Sequence, residues 1–260
     1  MAGSVIASED AIGRPASRRT IVMLLSNTAI RRHLQLGNIV IDPFVEENLG
    51  TASYDVCLGP WYYRERRPQG SGRTIYNFYD EAHVERVWGS TPSYAITAAE
   101  FARQAGVVLE GIAPTELVIP IEPSETILCH TEEFIGGRGG IITTMMKARS
   151  SMGRNFIEIC KCAGWGDVGY TNRWTMEVTN NSRYHTIPLV VGRRVAQIVF
   201  FEVEPIEDRE LDYTRTGKYQ SCVDLEELRR SWEPQQMLPR MYRDREVAVA
   251  REVSRGAIQK

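Results

Sequence analysis

An all-β fold of barrel, roll or sandwich type is what the sequence predicts for residues 21–205. Three observations carry this. Short runs of β-branched and aromatic residues recur through the span, several of them alternating with period two. Glycine and proline punctuate the runs at short intervals. Only two short stretches have helical spacing, which argues against a parallel sheet clad in helices.

In chain order, residues 1–20 lack periodicity and read as a mobile extension, with order expected from Ile21. Ser26 reads as an N-cap, Ala29, Ile30 and Leu34 follow at helical spacing, and Gly37 stops the helix. Ile39 to Ile41 before Pro43 suits a short strand. In Thr51–Gly59, Tyr54, Val56 and Leu58 share one strand face, while Asp55 and Cys57 take the other. Residues 60–95 mix aromatics with charges around Gly70-Ser-Gly72 and are expected to be strands joined by long loops. Thr97-Ala-Ala-Glu100 is a capping box opening a short helix that Gly106 closes. Val107–Leu109, Leu117–Ile121 and Thr126–His130 are strand candidates, and Gly136–Gly140 is a turn cluster without the Lys-Ser/Thr ending of a phosphate loop. Phe156–Cys162, Arg173–Val178, Thr186–Val191 and Arg194–Glu204 are β-patterned. From Ile206 the composition turns charged: Asp224 caps a helix with Leu225, Leu228 and Trp232 on one face, Pro234 ends it, and residues 239–258 have a mixed-charge helical character.

The bulk numbers bound the function. The 260 residues, 43% hydrophobic and 25% charged, are enough to bury a core without staples. A net charge of −2 gives no global reason to expect nucleic-acid or membrane binding, so any anion site is local. Five cysteines without a framework spacing point to free thiols in a reducing compartment. The first twenty residues lack the apolar core of a secretory signal, and no run approaches a membrane span, so the expected location is the cytoplasm.

Chemistry concentrates between Lys147 and Ser182. Arg149-Ser-Ser-Met-Gly-Arg154 offers two guanidinium forks, two hydroxyls and turn N–H groups, a set suited to a di- or triphosphate, though also to an ordinary surface turn. In Trp174–Thr179 the apolar Trp174, Met176 and Val178 point one way, which turns Glu177 to the other face, towards a polar space or towards solvent. Asp167 sits in the glycine-rich turn Gly164–Tyr170, where it either bonds its own backbone or contacts a sugar hydroxyl or a metal-bound water. Trp165 and Tyr170 can pack on a base or belong to the core. The zinc deaminase pattern of His-x-Glu with Pro-Cys-x-x-Cys is not met: His83-Val-Glu85 lacks its partner, and Cys160-Lys-Cys162 has the wrong spacing, although on a strand the two thiols would share a face. His33, His130 and His185 have no neighbours that suggest a triad.

Taken in order, these pieces resemble the dCTP deaminase and trimeric dUTPase superfamily, the dCTP deaminase branch above all. Leu24–Ile30 with Ile41-Asp-Pro-Phe44 is similar to its amino-terminal signature, and Ser53–Gly59, with Asp55, to its first motif. Arg149–Arg154 resembles the phosphate motif, Ala163–Tyr170 with Met176-Glu177 the base-binding turn and catalytic glutamate, Gly192–Ile198 the fourth motif, and Gly217-Lys-Tyr-Gln220 the start of a nucleotide-covering tail. The resemblance spans about residues 22–220.

It implies a mainly β, distorted barrel or roll with a few short helices, assembled as a homotrimer with sites between subunits. The implied division is a flexible extension 1–20, a nucleotide deaminase domain 21–222, and a charged, helical extension 223–260. It implies zinc-free deamination of dCTP, with Glu177 as proton shuttle and a water held by backbone carbonyls near Ala163. Arg149, Ser150, Ser151 and Lys218 would hold the triphosphate, with Arg154 reaching it from a neighbouring subunit or steadying the turn. Asp167 would take the deoxyribose 3′-hydroxyl, and Trp165, Tyr170, Gln197 and Tyr219 would complete the substrate site. Mg²⁺ would arrive with the triphosphate rather than in a protein cage. The implied partners are dCTP, dUTP and dTTP, the last as feedback inhibitor, with no nucleic acid and no membrane.

The chain also departs from the family. Monofunctional bacterial deaminases carry His-Arg after the turn alanine, where this chain has Gly164-Trp165, closer to the bifunctional branch that goes on to dUMP and pyrophosphate. Val168 replaces a proline, and the tail after Gln220 lacks the usual Gln-Gln-Gly, which puts its closure in doubt. The glycine-rich fifth motif of dedicated dUTPases is missing. A bifunctional deaminase is the favoured expectation, with a monofunctional deaminase, a pure dUTPase and a non-enzymatic nucleotide-binding protein as alternatives.

Overall fold

The computed structural model describes residues 23–68, 74–208, 212–220, 222 and 224–258. The expectations for residues 1–20, for Ile21 and for Gly70-Ser-Gly72 lie outside the described residues. In chain order the strands are β1 (Met23–Leu24), β2 (Ile39–Asp42), β3 (Tyr54–Arg64), β4 (Ser93–Tyr94), β5 (Ile96–Thr97), β6 (Leu117–Ile121) and β7 (Thr126–Gly137). They continue as β8 (Ile142–Ala148), β9 (Ile157–Ile159), β10 (Trp165–Gly166), β11 (Thr171–Asn180), β12 (Ile187–Val190) and β13 (Arg194–Glu202). The helices are α1 (Asn27–Gln35), α2 (Glu81–Trp88), α3 (Ala98–Ala105), α4 (Ser150–Arg154), α5 (Tyr213–Thr216), α6 (Leu225–Ser231) and α7 (Arg245–Ile258).

The fold is mainly β, a curled sheet with a few short helices. Its hydrogen-bonded path runs β10-β8-β13-β3-β7-β11-β9, with β1 on β13, β2 on β7 and β4 on β3. A second, three-stranded sheet runs β12-β6-β5. Strand β7 is the hub, pairing antiparallel with β2, β3 and β11. Its neighbours β3 and β11 each turn alternate residues inward: Tyr54, Val56 and Leu58 from one, Trp174, Met176 and Val178 from the other. The Trp174 indole donates to the Ile135 carbonyl at 2.9 Å, which fixes the ring in the core.

Local signals set the helix starts. Ser26, Thr97 and Asp224 side chains accept hydrogen bonds from the N–H groups of Ala29, Glu100 and Glu227. Gly106, at φ +67°, closes α3 in the left-handed conformation that glycine adopts at least cost. Several expectations fail, the turn cluster Gly136–Gly140 in part, since Gly136 and Gly137 are paired residues of β7. Val107–Leu109 is not a strand: Val108 is 88% exposed and no sheet edge receives it. Residues 60–95 are not only strands and loops, because Asp80 caps the unexpected helix α2 by accepting from Ala82 N–H at 3.0 Å. The run Phe156–Cys162 is a strand only at Ile157–Ile159; Cys160, Lys161 and Cys162 are all left-handed, so Cys160 is buried and Cys162 exposed instead of sharing a face.

Two buried ionisable groups belong to the hub strand itself. The His130 ring lies so close to the Gly59 backbone that a Cβ there would stand 2.0 Å from it. Trp61 N–H meets His130 Nε2 at 3.3 Å and Nδ1 lies 2.8 Å from the Thr131 carbonyl, a pairing that suits the neutral Nδ1–H tautomer. Burial lowers this histidine to about 4. Glu133, whose carboxylate accepts from Cys57 N–H at 3.0 and 3.2 Å, is raised by burial to about 7.

Their effects on stability have opposite signs. The folded state holds the Glu133 proton that the unfolded chain releases near pH 4.5, so this group costs stability as pH rises from 4.5 to about 7. His130 does the reverse: stability is present above its ordinary 6.5 and is lost as pH falls to about 4. The two largely offset each other. Glu133→Gln removes one arm, so the stability difference between variant and parent is expected to grow by about 3 kcal/mol from pH 4.5 to pH 7. Urea unfolding at the two pH values measures it, and a constant difference would refute the assignment.

Candidate active site

A cavity of about 450 Å³ opens beside β11. Its wall includes Ala163, Trp165, Asp167, Tyr170 and Glu177 from the central stretch and Tyr213 and Tyr219 from the tail. The period-two pattern of β11 is the reason Glu177 reaches it: Met176 and Val178 are fully buried on the opposite face. Glu177 lies opposite Leu128 of β7, and its carbonyl accepts from Cys160 N–H at 3.0 Å. Burial pushes its carboxyl above the ordinary range, against the opposing pull of its own backbone N–H and of Lys161.

The turn that carries Ala163 is shaped by backbone, not by side chains. Three successive left-handed residues, Cys160 to Cys162, reverse the chain, and Ala163 N–H closes on the Cys160 carbonyl at 2.5 Å. Trp165 then pairs with Met145 and Gly166 with Thr144, which carries Gly164 hard against β8. Met146 N–H donates to the Gly164 carbonyl at 2.7 Å, and a Cβ on Gly164 would stand 2.3 Å from the Met146 carbonyl oxygen. A histidine at this position therefore requires strand β10 to move away from β8. Trp165 is 56% exposed, with its ring 6.5 Å from Phe201, and so is free to meet a planar ligand. Asp167 is exposed at the cavity rim. Its turn closes through the backbone, Tyr170 N–H to the Asp167 carbonyl at 3.0 Å, and its carboxylate makes no hydrogen bond among the described residues. Tyr170 is wedged edge-on between Trp174 (5.2 Å) and Tyr213 (5.1 Å).

The basic motif stands elsewhere. Arg149, Ser150, Ser151, Arg154 and Gln197 do not line this cavity. Arg149–Arg154 is not an open turn: Arg149 leads into the single-turn helix α4, leaving Ser150, Ser151 and Arg154 exposed. Lys147, Gln197 and Asp55 stand opposite one another across β8, β13 and β3. Asp55 gathers Arg149 Nε at 3.3 Å, Arg194 Nη1 at 3.0 Å and the Gln197 amide at 2.9 Å. The two halves of the expected site thus occupy different parts of the chain. Lys218, expected on a phosphate, is ion-paired with Asp244.

Sequence reasoning missed several wall residues: Trp88 at the end of α2, Leu128 and Thr175 on the strands, and Met237 and Pro239 beyond α6. Met237 is buried with Tyr63 and Leu128, so the C-terminal extension is part of the cavity's apolar side. Of these two helices only α6 was visible locally, through its cap Asp224; nothing in the sequence says where α2 and α6 dock.

Among the described residues no three His, Cys, Asp or Glu side chains gather into a group that could hold a metal ion. Among the described residues no helix is long and apolar enough to cross a membrane.

The chain is 27% identical over 184 residues to dCTP deaminase, dUMP-forming, of Hydrogenobaculum sp., covering 71% of this chain and 85% of the relative. It is 29% identical over 202 residues to the protein of the same name from Methanopyrus kandleri, covering 75% and 90%. It is 27% identical over 208 residues to dCTP deaminase of Natronomonas pharaonis, covering 76% and 90%. Against the crystal structure of 2′-deoxycytidine 5′-triphosphate deaminase from Agrobacterium tumefaciens the TM-score is 0.46 at 18% identity, over 70% of this chain and 48% of that one. The model of the dCTP deaminase-like family matches residues 24–203, well over half of the sequence, and the chain therefore belongs to that family.

Proposed function

We propose that this protein deaminates dCTP and carries the product on to dUMP and pyrophosphate. The observation that carries the reading is Glu177: a carboxyl raised by burial, on the wall of an aromatic cavity, beside the reversed turn at Ala163. The base lies against Trp165 and Tyr170, Asp167 takes the sugar hydroxyl, and carbonyls of the 160–163 turn hold a water. Glu177 removes a proton from that water as its oxygen bonds to C4, and passes the proton to N3. Glu177 next takes the proton of the new C4 hydroxyl and delivers it to the amino nitrogen, which leaves as ammonia as the C4 carbonyl forms, so dCTP and water give dUTP and ammonia. A second water divides dUTP into dUMP and pyrophosphate.

Two things support the second step. The Hydrogenobaculum and Methanopyrus relatives are dUMP-forming. Gly164-Trp165 stands where monofunctional enzymes have His-Arg, and the Met146 carbonyl leaves no room for a side chain at 164. The triphosphate is held by Arg149, Ser150, Ser151 and Arg154 of a neighbouring subunit in a homotrimer, which accounts for their distance from the cavity. Mg²⁺ enters with the nucleotide and neutralises its phosphates.

Separate incubations with dCTP and with dUTP, each with Mg²⁺ and with nucleotides, ammonia and pyrophosphate all measured, test this reading. Ammonia, dUMP and pyrophosphate in equal amounts are expected from dCTP. Accumulating dUTP would make the enzyme a deaminase only, and inert dCTP with rapid dUTP turnover would make it a dUTPase.

A further inference from the structure

The tail that lines the cavity is held down in part by residues outside the family match. Its own backbone contributes first: Tyr213 N–H donates to the Val168 carbonyl at 3.1 Å, and Gly217 N–H to the Tyr213 carbonyl at 2.8 Å. Strand β11 grips the far end, with Thr171 N–H on the Gln220 side-chain oxygen and the Asn172 amide on the Tyr219 carbonyl, both at 2.8 Å. Between these points the C-terminal extension returns. Arg240 donates to the Lys218 carbonyl at 2.7 Å, its N–H meets the Tyr219 hydroxyl at 3.2 Å, and its guanidinium lies 5.6 Å over the Tyr219 ring. Asp244, at the start of α7, pairs with the Lys218 ammonium.

The extension is itself anchored to the body of the protein. Arg229 pairs with Asp42 of β2 at 2.5 and 2.7 Å. Trp232 packs 4.6 Å from the His130 ring and 4.8 Å from the Arg173 guanidinium. Met237 is buried against Tyr63 and Leu128. The chain after Gln220 thus runs from the tail to the core and back to the tail.

We propose that the C-terminal extension is a resident clasp: Arg240 and Asp244 are positioning residues that hold Tyr213–Gln220 closed over the cavity in the free protein. The proposal rests on the cavity being the nucleotide site. Opening, not closing, is then what nucleotide entry must drive, and Lys218 reaches a phosphate only by leaving Asp244. The missing Gln-Gln-Gly continuation is made good by contacts that do not need nucleotide.

Hydrogen–deuterium exchange on the full chain without nucleotide tests the clasp. In the parent, amides of 213–220 are expected to exchange at least about 100-fold slower than an unprotected peptide. Arg240→Ala and Asp244→Asn are each expected to speed them at least about tenfold. Peptides of β7 and β11 report whether the variants remain folded; Arg240→Lys, which keeps the charge but loses the fork, serves if Arg240→Ala does not. Tail amides that exchange freely until dCTP is added would overturn the proposal, as would variants that leave their rates unchanged. Because exchange is read without turnover, a protected tail in a protein inert towards dCTP would sink the functional reading and leave the clasp standing. An active enzyme with a free tail would do the opposite.

Discussion

Glu177→Gln is expected to lower ammonia release from dCTP by about 10³-fold while leaving nucleotide binding within a few-fold of the parent. The amide is isosteric, so it keeps the strand and its neighbours, but it cannot accept a proton from water and hand it to the ring. The core face of β11 is untouched, because Trp174, Met176 and Val178 point the other way. Stability gives an independent check on the same variant. The folded state raises the Glu177 carboxyl, so its ionised form opposes folding, and this cost grows as pH rises through the folded value. Glutamine has no such cost. The variant is therefore expected to be at least as stable as the parent at pH 8, and a fall in melting temperature would show that the carboxylate is a structural partner. Full ammonia release would remove Glu177 from the mechanism altogether.

What was legible in the sequence was local. Alternation in Tyr54–Leu58 and Trp174–Val178 names the core faces because a strand has no other way to bury every second residue. The caps Ser26 and Thr97 sit next to the donors they satisfy. The failures are places where a distant element decides. Val107–Leu109 has an apolar composition but no strand to join. Cys160–Cys162 is β-patterned, yet the turn needed to deliver Ala163 to the cavity forces three left-handed residues. Lys218 reads as a phosphate ligand until Asp244, 26 residues on, is seen to hold it. The wall formed by Met237 and Pro239 follows from the docking of the extension, which no local pattern encodes. The spacing of Arg149 and Glu177 could be read as one site only through the family pattern; within the chain Arg149 lies outside the Glu177 cavity.

That separation carries the second large effect. Arg149→Ala is expected to lower kcat/KM for dCTP by about 10²- to 10³-fold, since an arginine fork on a phosphate is among the strongest single contacts such a site can make. The variant should still fold, because Asp55 keeps Arg194 at 3.0 Å and Gln197 at 2.9 Å after Arg149 is gone. Arg149→Ala and Glu177→Gln are then two nearly inactive proteins with intact folds and different lesions. If each site takes its glutamate from one subunit and its phosphate clamp from the next, unfolding and refolding them together in equal amounts must create some sites with neither lesion. Random assembly of a cyclic trimer makes roughly a quarter of the sites whole, so activity should return to about that fraction of the parent. Sites contained within single subunits would gain nothing from mixing. The same measurement reports the oligomer, because no recovery is possible from a monomer.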